Sequence, residues 1–179
     1  MNKQILIAGF GGQGILFSGK FLAYSGLLEG LEVSWLPSYG PEMRGGTANC
    51  SIILSETPVG SPIVNNPDVL VAMNLPSLEK YEEATVSGGQ IFYDSSLIDR
   101  KVERADVEVY PIPATKLASD NNLPGLANMI MVGYLLKKSG VLPYECVDAG
   151  LSKVVSAKRQ ALLESNKQAI ALGYSYEEA

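Results

Sequence analysis

Histidine is absent from all 179 residues. That removes the commonest general base and the commonest zinc ligand, and with them any Ser–His or Cys–His pair. Cysteine is scarce. Cys50 and Cys146 are the two, far apart and in no C-x-x-C pair, so the chain cannot ligate an iron–sulfur cluster in the usual four-cysteine manner. They read as buried thiols of a reduced, cytoplasmic protein rather than a disulfide or metal site. Positive charge is also short: 14 basic side chains face 19 acidic ones, the net charge is −5, and no basic run occurs. Nucleic acid is therefore not an expected partner. No apolar run has the length of a membrane span, and the N-terminal one is too short to read as a signal peptide. Apolar residues at 46% and charged ones at 18% exclude disorder and suit one domain over 1–179.

What is present begins at the N-terminus. Ile5-Leu6-Ile7-Ala8 is a short buried-strand pattern, and it breaks into Gly9-Phe10-Gly11-Gly12-Gln13-Gly14. Apolar residues at helical spacing follow from Ile15. Gly9, Gly11 and Gly14 meet the G-x-G-x-x-G pattern in its required place, after a strand and before a helix. Glycine there lets the backbone turn tightly, and exposed N–H groups at a helix start favour an anion. Gly11, Gly12, Gln13 and Gly14 are thus either an anion cradle or a surface where a partner backbone packs closely. The outer glycines of the pattern serve the turn, which leaves Gly12 spare.

A second strand, Leu31 to Leu36, completes a βαβ unit after the first helix, for which a right-handed crossover is expected. A nicotinamide site would place Asp or Glu at the end of that strand. Here the strand runs into Pro37-Ser38, and the nearest acid, Glu42, lies beyond Pro41. No G-K-[ST] follows the glycines either, so a phosphate-loop nucleotide site is not supported. The stretch Ser38-Tyr39-Gly40-Pro41-Glu42-Met43-Arg44-Gly45-Gly46-Thr47 is a turn-rich loop. As a plain connector it would need fewer special residues, and Arg44 beside two glycines suits bidentate contact with a carboxylate or phosphate. Glu42 with Arg44 reads as a structural ion pair, so no catalytic residue is named.

Strand patterns follow at 48–54, 68–73, 90–94 and 107–112, the last at a sheet edge because of Pro111. Helical patterns fall at 76–84, 114–119, 124–138, 143–155 and 157–172. The 124–138 helix is apolar nearly all round and should be buried in the domain or a subunit contact. On the last helix Ala161, Leu162, Ser165, Ala169 and Leu172 form the expected inward stripe. This alternation predicts an α/β fold: a three-layer α/β/α arrangement around a mostly parallel Rossmann-like sheet, with an antiparallel strand added near Ile52.

The glycine loop Gly9–Gly14 together with Ser38-Tyr39-Gly40-Pro41-Glu42-Met43-Arg44-Gly45-Gly46 resembles the gamma subunit of 2-oxoacid:ferredoxin oxidoreductases. The same unit forms one domain of single-chain pyruvate:ferredoxin oxidoreductases. Ser61-Pro62 and Asn66-Pro67-Asp68 extend the similarity over essentially the whole chain. The resemblance implies a subunit of an enzyme that decarboxylates a 2-oxoacid, forms acyl-CoA and reduces ferredoxin. It implies thiamine diphosphate, Mg and iron–sulfur clusters on alpha, beta and ferredoxin-like delta partners, and an isolated chain that is inactive and can form a homodimer. Gly9, Gly11, Gly12, Gln13, Gly14 and Arg44 would then contact an anion, coenzyme A or a partner. The rival readings are a free-standing nucleotide-dependent oxidoreductase and a small anion-binding module anchored by Arg44.

Overall fold

A computed structural model of the chain describes residues 1–38 and 48–178. Their strands are β1 (Asn2–Gly9), β2 (Glu32–Ser38), β3 (Ala48–Ser55), β4 (Val69–Ala72), β5 (Gln90–Asp94) and β6 (Glu108–Ile112). The helices are α1 (Ile15–Leu28), α2 (Leu75–Tyr81), α3 (Ala114–Asp120), α4 (Ala127–Ser139), α5 (Cys146–Val154) and α6 (Gln160–Tyr174). One six-stranded sheet runs in the order β2-β3-β1-β4-β5-β6.

β1 is apolar on both faces from Ile5 to Ala8 and fully buried there, as a strand covered on both sides must be. It pairs parallel with β4 (Ile5 opposite Val69) and antiparallel with β3 (Ile5 opposite Ile52). β4–β5 and β5–β6 are parallel, and β2–β3 is antiparallel. The sheet is therefore mostly parallel, with β6 at one edge, where Pro111 is tolerated.

The βαβ spacing leaves the strand order open. In the sheet β2 is not the neighbour of β1, because β3 lies between them. Two successive antiparallel pairings leave β2 parallel to β1 but two places away. Side-chain chemistry explains the order. Seven of the eight β3 residues are buried, so β3 gains most from two neighbours, whereas β2 is half-buried at best and takes the edge.

The two faces are unequally covered. Ile5, Ile7, Cys50, Ile52 and Phe92 face the main core, where Phe21 and Leu22 of α1, Met129 to Leu136 of α4, Leu151 of α5 and Ile170 of α6 pack. Leu6, Leu70, Ile91 and Tyr93 face the other way, beneath Leu78 of α2 and Ile98. α4 is buried from Asn128 to Leu136 without interruption, and the contact is with α6 inside the domain. The expected stripe on α6 is displaced: Asn166, Ala169, Ile170 and Gly173 face inward, while Ala161 and Leu162 are exposed. Both cysteines are free and buried. Among the described residues no helix is long and apolar enough to cross a membrane.

Candidate functional site: the glycine loop and its cleft

β1 ends at Gly9 and α1 begins at Ile15, so the loop between them stands at the carboxyl end of a central strand. The sheet divides at β1/β4: β3 and β2 lie to one side, β4 to β6 to the other. In open α/β sheets ligands bind at such a switch point, outside the carboxyl ends of the strands.

Each loop glycine has its own reason. A Cβ on Gly9 would lie 2.6 Å from Gln13 Oε1 and 2.7 Å from Ile15 Cδ1. Gly14 is the N-cap of α1 with φ 74°, and the Asn128 side chain occupies the place of its missing Cβ. Gly12 has φ 90° with nothing within 4 Å of a built Cβ. Gly12 is therefore not spare: the turn needs its positive φ. Gly11 combines open space with an ordinary φ, and is the glycine that the fold itself requires least.

Two carboxamides hold the loop. Gln13 Oε1 accepts the Phe10 N–H at 2.6 Å, and Gln13 Nε2 donates to the Met73 carbonyl at the end of β4, 3.0 Å away. Asn128 Nδ2 donates to the Gly14 carbonyl at 3.1 Å and to Ser18 Oγ at 3.0 Å, which ties the starts of α4 and α1 together. Neither helix has a side-chain cap at its N-terminus. Asn128 was missed from sequence, although a lone amide in the most apolar helix was a usable signal.

Beside the loop lies an open cleft of about 400 Å³, walled by Gly12, Gln13, Met73, Leu97, Ser119 and Asn128 among others. Thr115 also lines it, held by Asp94, whose carboxylate accepts the Thr115 N–H at 3.1 Å and its hydroxyl at 2.5 Å. Among the described residues no lining side chain is ionisable. These residues can bind and orient a ligand, but they offer no group for proton transfer. Cys50 is no nucleophile either. It lies under α1, donating to the Ile15 carbonyl at 3.4 Å, and burial pushes its thiol up to about 12. Among the described residues no cluster of three His, Cys, Asp or Glu could hold a metal. The structure thus brings Gly9, Gly11, Gly12, Gln13 and Gly14 together. Arg44 and the rest of the 39–47 loop lie outside the described residues.

The geometry also bears on a dinucleotide. The carboxyl end of β2, where a ribose-binding acid would stand, is two strand spacings from β1, roughly 10 Å. In the ordinary dinucleotide fold the two strands are adjacent.

Residues 4–176 match the pyruvate ferredoxin/flavodoxin oxidoreductase family. The chain belongs to that family. It is similar to the ketoisovalerate oxidoreductase subunit VorA of Methanothermobacter thermautotrophicus, 42% identical over 133 residues, which is 74% of this chain and 28% of VorA. It is also similar to the 2-oxoglutarate synthase subunit KorC of Methanocaldococcus jannaschii, 33% identical over 177 residues, covering 97% of this chain and 93% of KorC. Among solved structures it resembles a 2-oxoglutarate:ferredoxin oxidoreductase from Magnetococcus marinus, at TM-score 0.83 and 26% identity. That match covers 99% of this chain and 32% of the other, whose structure contains 2-oxoglutarate, coenzyme A and succinyl-CoA. The unit described here thus has counterparts both in a separate subunit and in under a third of longer chains.

Proposed function

We propose that this chain is a gamma-type subunit of a 2-oxoacid:ferredoxin oxidoreductase. The enzyme would convert a 2-oxoacid anion, coenzyme A and two oxidised ferredoxins to acyl-CoA, carbon dioxide, a proton and two ferredoxins each reduced by one electron. The observation that carries the reading is the match to KorC, a separate subunit, over nearly the full length of both chains.

The site supports a binding and assembly role. Among the described residues its cleft has neutral polar groups and apolar walls but no acid or base, so these residues would orient coenzyme A or a partner segment rather than move protons. With Cys50 and Cys146 as its two cysteines, the chain lacks the four-cysteine set of an iron–sulfur cluster, which supports placing the clusters, and with them thiamine diphosphate and Mg, elsewhere. They are assigned to alpha, beta and delta partners. Gly11 and Gly12, bare of side chains, would receive the coenzyme A diphosphate or a partner backbone, with Arg44 as a further anion contact.

Reconstitution tests this. The purified chain alone should be inactive, and ferredoxin reduction dependent on coenzyme A should appear when thiamine- and cluster-carrying partners are added. Turnover of a 2-oxoacid by the single chain would refute the proposal. A ligand melting screen addresses the dinucleotide alternative, since a site filled at a hundred times its Kd stabilises by about 2.7 kcal/mol. NAD(H), NADP(H) and flavins should give no such shift.

A further inference from the structure

The turn that exposes Gly11 and Gly12 is clamped from both ends by one residue. Gln13 donates its backbone N–H to the Phe10 carbonyl at 3.2 Å, and its side-chain Oε1 takes the Phe10 N–H in return. The other end of the same carboxamide is fixed to the Met73 carbonyl. Met73 N–H in turn donates to the Ala8 carbonyl at 2.8 Å, so the clamp is anchored where β1 and β4 run side by side. Gln13 thus spends one amide donor and its acceptor inside the protein. From sequence it reads as a contact residue, but its geometry is that of a brace.

We propose that Gln13 is a positioning residue for coenzyme A: it holds the Phe10–Gln13 turn in a preformed shape against β4, so that the bare Gly11–Gly12 backbone meets the ligand at no ordering cost. This rests on the gamma-subunit reading. Three observations converge on it. The turn borders the cleft at Gly12 and Gln13. Gly11 and Gly12 have space above them that the described residues do not fill. Gly12 sits at a positive φ that a free loop would hold only part of the time, and preorganisation of this kind improves affinity by removing the entropy of ordering.

The test uses the reconstituted complex with Gln13→Met, which keeps length and loses both side-chain bonds, and Gln13→Glu, which keeps the acceptor, loses the donor and adds charge. Steady-state kinetics give KM for coenzyme A, KM for the 2-oxoacid and kcat, and size-exclusion chromatography gives the subunit ratio. Gln13→Met should raise KM for coenzyme A about tenfold, with the 2-oxoacid KM, kcat and subunit ratio within twofold of the parent. Gln13→Glu should raise it further, and the excess should shrink at high salt, because a carboxylate beside an anion is repulsive and screened. If Gln13→Met does not assemble, Gln13→Asn, with the same polar atoms on a shorter side chain, must show the same selective rise. Coenzyme A KM values within twofold of the parent in assembled variants overturn the role of Gln13 alone. A parent complex without turnover dependent on coenzyme A overturns the gamma-subunit reading, and this inference with it.

Discussion

Gly133 on α4 and Gly173 on α6 occupy reciprocal positions. A Cβ on Gly133 would strike the carbonyl oxygen of Ile170, and one on Gly173 would strike that of Ile130. The two helix backbones therefore touch where their axes cross, and the obstacle to any side chain is backbone, which cannot rotate away.

Gly133→Ala and Gly173→Ala should each destabilise the fold by about 1–3 kcal/mol, the usual penalty for overpacking a closed core. For a domain of this size each kcal/mol shifts Tm by about 2–4 °C. Thermal melts of the two variants check this, and unchanged melting in both would show that the helices separate freely.

Gly11 and Gly12 should part company. Gly11→Ala should change stability by less than about 0.5 kcal/mol, because it meets open space at an ordinary φ. Gly12→Ala should lose about 1 kcal/mol or more from strain at its positive φ. Gly11→Ala is then the clean probe of what approaches the loop: with melting unchanged, a fall in subunit yield or in the response to coenzyme A reports a contact there.

Tyr134→Phe should be neutral or stabilising. The Tyr134 ring is fully buried against Phe92, Tyr110 and Tyr176, but its hydroxyl has no hydrogen-bond partner among the described residues. Removing a buried, unpaired polar atom relieves a desolvation penalty. Chemical denaturation should give a free energy equal to or above that of the parent, and a clear loss would mean that the hydroxyl is paired in solution.

Alkaline pH should drain stability in a definite window. Burial lifts the Cys50 thiol from 9.0 to about 12, against smaller lowering from Trp35 and Gly19. It lifts Tyr134 from 10.0 to about 12, with the nearby Glu178 carboxylate adding to the rise. The unfolded chain sheds these protons first. The contribution is therefore complete below pH 9 and is lost as pH climbs toward 12, on the order of 1 kcal/mol per pH unit for each group. Urea titrations between pH 8 and 11 check the slope, which Cys50→Ala should make shallower.

Much of this was legible from residues alone, for identifiable reasons. Strand β1, the glycine loop and α1 are local patterns, and β6 at the edge followed from Pro111. The insertion of β3 was not legible, because strand order depends on which long-range pairings bury the most surface. Its strand pattern at 48–54 could be read, but not its burial on both faces or its place beside Ile5. The face of α6 was misjudged because its contact is made through Asn166 and Gly173, which no apolar periodicity marks. At the site, the glycines could be found from their spacing. The braces could not, since Gln13 and Met73 are 60 residues apart and Asn128 meets Gly14 only through the packing of α4 on α1.

The place of β3 governs the order in which the protein can be built. β1 precedes both of its neighbours in the chain, which lie at 48–55 and 69–72. The strand–helix–strand segment 2–38 is synthesised before a mate for either of its strands, because β2 also joins the sheet only through β3. An apolar strand with two open edges must therefore wait until residues 69–72 have been made before it is shielded on both sides. Folding of the nascent chain hinges on the late arrival of its middle, and a fragment ending at Ser38 has no sheet to form.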